Sequence, residues 1–164
     1  MTMIPNDYII TTRRCRLRRP GLADIPHVFS ATREPGFNDG MLWDPPKGMD
    51  ELREPFNASL RAWDSGQAFS FTIEGIASGD FIGRISIRKQ QEDGVWNLGF
   101  WTHPKHQGCG FMTEVIGVIL AFAFNRLNAI RIEACHAIWN KPSQRVLEKN
   151  GMTFVHWHPI GAEN

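Results

Sequence analysis

Gln107-Gly108-Cys109-Gly110-Phe111-Met112-Thr113 is the stretch on which the fold turns. It lies between a strand-like run ending at Thr102 and a long apolar run that begins at Phe111. Glycine lets a backbone turn tightly and come close to a ligand. The first amides of a helix have no partner inside it and together carry about half a positive charge. A junction of strand, glycine turn and helix is therefore a natural seat for a phosphate or pyrophosphate. Two familiar phosphate motifs do not fit. A P-loop needs a lysine after its last glycine, and none follows Gly110. A dinucleotide fingerprint needs a third glycine where Thr113 stands, and it belongs to an opening βαβ unit rather than after several strands.

Working toward the N-terminus, three alternating segments come in quick succession. Residues 68–74 place Phe69, Phe71 and Ile73 on one face, 81–88 carry Ile82, Ile85 and Ile87, and Val95–Thr102 carries Val95, Leu98, Phe100 and Trp101. The links Ala77-Ser78-Gly79-Asp80 and Glu92-Asp93-Gly94 are turn chemistry, and links so short predict an antiparallel meander. Further back, the pattern predicts one strand over 8–18 and a helix over 24–33. A Pro- and Gly-rich loop follows over 34–47 that exposes Phe37 and Trp43, then a helix over 49–65 with Leu52, Phe56, Leu60 and Trp63 on one stripe.

On the other side of the turn, 111–127 is apolar on most sides and predicts a buried helix. A strand over 130–138 follows, then a helix over 140–150 with Asn140 as its cap and Gly151 as its stop, then a last strand over 152–157. Strand, helix and strand across 95–138 predict a parallel crossover. The expected fold class is thus α/β (α+β). It is a single domain over 1–164 with a mixed sheet, antiparallel N-terminal strands, a parallel central pair and helices on both faces.

Bulk properties narrow the function classes. A chain of 164 residues fits one domain, and 42% apolar with 21% charged residues is ordinary for a soluble protein. The net charge of +1 points to neither nucleic acid nor membrane as partner. Arg13, Arg14, Arg16, Arg18 and Arg19 cluster near the start. They read as a solvated strand face, with an anionic partner such as a cofactor phosphate or an acidic peptide as the alternative. Cysteines 15, 109 and 135 form no C-x-x-C pair, which argues against zinc and for reduced thiols in a cytoplasmic protein. The apolar run 115–124 is too short to span a bilayer. No metal is expected, and the oligomeric state is expected to be monomer or homodimer.

Beyond the turn, several further segments carry a pattern. They are Leu17-Arg18-Arg19-Pro20 with Asp24, Gly79-Asp80-Phe81-Ile82-Gly83, Leu98-Gly99-Phe100-Trp101, Arg131-Ile132-Glu133-Ala134, Asn140-Lys141-Pro142-Ser143, and Arg145-Val146-Leu147-Glu148-Lys149 with Gly151. In this order and spacing the chain resembles the GNAT superfamily of N-acetyltransferases, and more narrowly the branch that includes ribosomal-protein N-terminal acetyltransferases. Three departures stand out. Met112 replaces the small residue usual in the superfamily, Asn97 stands where many members carry Glu, and the chain reaches Asn164 without the strand that usually follows 152–157.

The resemblance implies that acetyl-CoA is the cosubstrate. Its pyrophosphate would sit on Gln107, Gly108, Cys109, Gly110, Phe111, Met112 and Thr113. Phe100, Trp101 and Thr102 would pair with the pantetheine arm, in a slot left as Val95–Thr102 diverges from 130–138. The catalytic set implied is Ser143 as proton donor to the departing thiolate, Asn140 holding a pantetheine amide or a water, and the Phe100 strand giving an amide to the oxyanion. The reaction implied is direct attack of a primary amine through a tetrahedral intermediate, the acceptor being a protein N-terminal α-amine or a small-molecule amine. An α-amine, with a pKa of about 8, is more easily neutralised for attack than a lysine at about 10.4. Plainer roles stay open: Asn140 as helix cap only, Ser143 as a first-turn residue, Glu133 as an ion-pair partner. Further open points are His103 and His106 as surface histidines, Trp43, Trp96 and Trp101 as core or acceptor-pocket residues, and a solvated role for Glu34, Asp39, Asp44, Asp50, Glu51 and Glu54. The alternative function is a non-catalytic acyl-CoA-binding or interaction domain.

Overall fold

The computed structural model describes residues 3–37, 45–134 and 141–153. Among these residues, alternation of apolar side chains builds a sheet of six strands in the order β1-β2-β3-β4-β5-β6. These are β1 Ile9–Thr11, β2 Cys15–Arg18, β3 Ala68–Gly75, β4 Phe81–Lys89, β5 Val95–Thr102 and β6 Arg131–Ala134. The first five run antiparallel, neighbour to neighbour, and β6 lies parallel to β5 from Val95↔Arg131 to Leu98↔Ala134. Among the described residues four helices join them: α1 Ile25–Thr32, α2 Arg53–Ser65, α3 Phe111–Arg126 and α4 Lys141–Lys149. The antiparallel meander, the parallel pair and the crossover through α3 agree with the expectation from sequence. Short 3₁₀ turns, Leu22–Asp24 and Met49–Leu52, precede α1 and α2.

The single strand expected over 8–18 is instead a hairpin of β1 and β2, paired from Ile9↔Arg18 to Thr11↔Arg16. Thr12 makes the turn. Its N–H donates to Cys15 O at 2.8 Å, and its hydroxyl accepts from Cys15 N at 2.9 Å. A hydroxyl-made turn needs no Gly, Pro, Asn or Asp, so the sequence carried no mark of it.

The two faces of the sheet bury different things. Phe69, Phe71 and Ile73 of β3, with Leu17, Ile85, Ile87 and Leu98, face α3, which adds Val115, Ile116 and Ile119 to the same core. Phe122 of α3 packs its ring edge-on against Phe69 and Phe71 at 6.1 and 5.6 Å. On the opposite face Ser70 meets Ser59 of α2, and a smaller cluster of Ile25, Val28, Leu52, Phe56 and Phe81 holds α1 and α2. Trp63, near the end of α2, joins the larger core against Phe69 and Phe71 and donates its indole N–H to Ile4 O at 3.0 Å. The expected last strand over 152–157 falls mostly outside the described residues, and Met152 and Thr153 are not in a strand. Gly151 does stop α4, in the left-handed conformation with φ +81°.

Four of the five clustered arginines are ion-paired, while Arg13, Arg14 and Arg16 stay exposed. Arg14 pairs with Glu114, Arg16 and Arg18 with Glu74, and Arg19 with Asp64. Arg18 also grips the buried Asp24 in two bonds of 2.7 and 3.0 Å. The N–H of Gly21 and the hydroxyl of buried Thr72 donate to the same carboxylate at 3.0 and 2.8 Å. Burial pushes the Asp24 carboxyl up, but the bonds from Arg18, Gly21 and Thr72 outweigh it and hold the group below the usual carboxylate range. Breaking a buried pair by removing one partner strands the other, at a cost of about 3–5 kcal/mol. Asp24→Ala is expected to lose about 3 kcal/mol in urea unfolding, the low end because Arg18 keeps some solvent. A loss below about 1 kcal/mol would contradict this anchoring role.

Candidate functional site

The strand β5 ends at Thr102, a one-turn 3₁₀ segment Pro104–His106 follows, and the chain enters the glycine turn. Gln107 ties that turn back to the strand, its Nε2 donating to Thr102 O at 3.3 Å. Gly108 and Gly110 both take the left-handed conformation, with φ of +75° and +79°, and Gly110 caps α3. A Cβ on Gly108 would meet nothing within 4 Å, so the turn is open on that side. The geometry presents the first amides of a sixteen-residue helix to an open cradle, which suits a pyrophosphate.

Arg14, from the β1–β2 turn, lies across this cradle and was not singled out from sequence. Its Nη1 donates to Cys109 O and its Nε to Glu114, both at 2.9 Å, and its guanidinium sits 4.4 Å above the Phe111 ring. Glu114, in the first turn of α3, also accepts from Arg14 N at 2.9 Å and from the Thr12 hydroxyl. Burial raises the Glu114 carboxyl, and the bonds from Thr12 and Arg14 overcome that and keep it below its ordinary range. The only sequence signal for Arg14 was its membership of the arginine cluster. Its partners lie about a hundred residues away in the chain, where no local pattern reaches.

The other expected contacts divide by side chain and backbone. Met112 is buried in the main core, so it offers the turn its amide alone. The Phe111 ring stands between Arg14 and His106. The Cys109 thiol is exposed and lies 3.6 Å from Gln107 O. Thr113 O accepts from Asn150 Nδ2 at 3.2 Å, and the same amide donates to Val146 O at 3.0 Å. Asn150, also missed from sequence, thereby fastens the end of α4 to the first turn of α3. Ser143, half-buried, rides on α4. Asn140 lies outside the described residues, as do Trp43, Asp39, Asp44 and the part of the expected slot formed by 135–138.

On β5, the Phe100 ring packs against the main core, leaving its backbone as the group available to a ligand. Trp101 points to the other face, with its ring 5.2 Å from Phe37 and 5.7 Å from Phe81. Phe37, expected to be exposed, is buried by that edge-on contact. Trp96 belongs to the core. Asn97 and Gly99 lie on the Trp101 face by alternation, and a Cβ on Gly99 would come within 3.2 Å of Ser86 Oγ. The buried Oδ1 of Asn97 has no hydrogen-bond partner among the described residues. Further along the strand, Trp101 joins Val28, Pro46, Glu51, Leu52, Pro55, Phe56 and Arg84 in lining a pocket of about 340 Å³.

Glu133 pairs with Arg131 at 3.4 Å. His103 is buried rather than on the surface. Its Nδ1 accepts from Lys105 N at 3.2 Å, so Nε2 carries the proton and faces Ser30 Oγ at 3.3 Å. Burial, with His106 and Lys105 nearby, pulls its pKa below the ordinary value. A histidine depressed in the folded state contributes stability above its unfolded pKa of about 6.5 and loses it as pH falls through the folded value. The thermal midpoint is therefore expected to fall below pH about 6.5, and to fall less in His103→Gln. Equal falls would show that His103 is not held neutral. Among the described residues no three His, Cys, Asp or Glu side chains gather to hold a metal, and no helix is long and apolar enough to cross a membrane.

Comparison with known proteins places this geometry. Residues 14–153 match the acetyltransferase (GNAT) domain family. The uncharacterised N-acetyltransferase YnaD of Bacillus subtilis is 34% identical over 143 residues, covering 87% of this chain and 81% of its own. Among solved structures, an acetyltransferase of Agrobacterium tumefaciens superposes with a TM-score of 0.80 at 22% identity, over 99% of this chain and 93% of its own. RimL, a ribosomal L7/L12 α-N-protein acetyltransferase in complex with coenzyme A, superposes at 0.79 with 17% identity, over 87% and 82%.

Proposed function

The chain belongs to the GNAT acetyltransferase family and is an acetyl-CoA-dependent acetyltransferase, and from that premise we propose that it acetylates a primary amine, with a protein N-terminal α-amine as the leading acceptor and small amines as the other class. The observation that carries the cosubstrate assignment is the pair of left-handed glycines, 108 and 110, opening α3 into free space. Acetyl-CoA supplies the acetyl group as a thioester. The amides of 108–113 and the Arg14 guanidinium would hold its pyrophosphate, and the backbone of Phe100, Trp101 and Thr102 its pantetheine arm.

The chain's own residues then divide the chemistry. A β5 amide at Phe100 would donate to the developing oxyanion, a preorganised donor that costs no rearrangement. Asn97 stands on β5 where many members of the family carry a Glu that would take a proton from the incoming amine. An amide side chain cannot take that proton, so an amine that is already partly neutral suits this site. An α-amine, at about 8, meets that need and a lysine, at about 10.4, does not. Ser143 Oγ would hold the proton that the leaving sulfur receives. A protein N-terminus as acceptor is supported by the likeness to RimL, which is named for that reaction. The test is release of free thiol from acetyl-CoA across a panel of peptides and small amines. Transfer to peptide α-amines is the expected result, and transfer to lysine side chains alone would overturn the acceptor assignment.

A further inference from the structure

We propose that the pocket beside Trp101 takes an acceptor that carries a carboxylate near its amine, and that Arg84 binds this carboxylate; the proposal rests on the acetyl-transfer function above. Arg84 projects from β4 directly across from Trp101 of β5, on the face covered by α1 and α2. Its guanidinium stacks 4.7 Å above the Phe56 ring. Among the described residues its one hydrogen bond goes to Ser59 Oγ at 3.5 Å, a long contact that Ser59 shares with Ser70. A guanidinium has five N–H donors in a fork that matches a carboxylate.

The contrast with its neighbours is the point. Arg14, Arg16, Arg18 and Arg19 each meet a carboxylate of the protein. Arg84, more enclosed than Arg14 or Arg16, meets none among the described residues. Among the described residues Asp24 acts on it electrostatically, and that carboxylate is already committed to Arg18, Gly21 and Thr72. Glu51, the carboxylate of the pocket lining, is exposed and accepts from Lys47 N at 3.2 Å. Burial lowers the guanidinium to about 10, which leaves it cationic at neutral pH. A desolvated cation facing an apolar pocket is costly unless a ligand brings the matching charge. Val28, Leu52, Phe56 and Trp101 supply the apolar walls that would strengthen such a pair.

A carboxylate could come from an acidic N-terminal side chain or from the α-carboxylate of a free amino acid. Four probes separate these: the amidated tripeptides Asp-Ala-Ala and Asn-Ala-Ala, free alanine and alaninamide. Binding is measured by calorimetry on the coenzyme A-loaded protein, and turnover by thiol release. The expected result is a preference of at least about 10-fold for the anionic member of one pair, in binding and in kcat/KM. Arg84→Met should reduce that ratio to near one while acetyl-CoA affinity holds, and Arg84→Lys should restore part of it. Equal binding of both members of both pairs by the wild type overturns the proposal. So does an Arg84→Met variant that keeps the preference, or that weakens every probe by the same factor. A binding preference without turnover would leave the carboxylate site standing and sink the acetyl-transfer reading instead.

Discussion

Gly110→Val is expected to remove measurable acetyl-CoA binding, a fall of at least about 100-fold. Two effects add. A β-branched residue at φ +79° is strained by about 1–3 kcal/mol, so the turn would relax away from its left-handed form. The new side chain would also press on the Arg14 guanidinium, since even a Cβ lies 3.4 Å from Arg14 Nη2. Losing one or two charge-assisted bonds to a pyrophosphate costs about 1.5–3 kcal/mol each. Gly79 provides the control. It has φ +73° in the β3–β4 turn with nothing within 4 Å, so Gly79→Val carries the backbone strain without touching the cradle. Its acetyl-CoA affinity should match the wild type. If both variants bind equally, or if both fail, the turn is not the pyrophosphate seat.

The second large effect is expected for Ser143→Ala. A positioned proton donor contributes about 100-fold or more to a rate. Turnover with a good peptide acceptor should fall by about that factor, while acetyl-CoA affinity changes by less than about threefold. Equal falls in affinity and turnover would make Ser143 a binding residue, and unchanged turnover would remove it from the mechanism. The fold supports the assignment through Asn150. Its bond to Thr113 ties the end of α4 to the helix that opens at the cradle, so a residue on α4 has a defined place relative to that turn.

What was legible in the sequence was what depends on neighbours in the chain. The runs through Phe69, Phe71 and Ile73, through Ile85 and Ile87, and through Leu98 and Phe100 declared three strands because pleating forces apolar side chains onto alternate positions. Gly79, Gly94 and Gly151 declared turns and a helix end because a positive φ favours glycine. The cradle itself was legible for the same reason. The Thr12 turn was not, since a threonine hydroxyl closes it with a bond that any strand residue could have declined. Phe37 reads from sequence as an exposed loop aromatic because its partner, Trp101, lies far along the chain in a strand.

The arginines show the same limit most clearly. Arg18 finds Asp24 six residues on, but Arg14 finds Glu114 across a hundred, and composition alone cannot tell a paired cation from a solvated one. Only in three dimensions does Arg84 separate from the rest, as a cation that faces a pocket and has no carboxylate of its own among the described residues. Asn97 is a related case. Its identity was visible as a departure from the family pattern, but its unpartnered buried oxygen became visible only with the fold.

The central claim is that the turn through Gly108 and Gly110 holds coenzyme A, and calorimetric titration with acetyl-CoA, coenzyme A, ATP and NAD tests it most directly. The account predicts saturable one-to-one binding of acetyl-CoA and coenzyme A, with ATP and NAD far weaker because they lack the pantetheine arm that β5 would pair with. Absence of binding by either coenzyme A species, or equal binding of ATP and NAD, would contradict it.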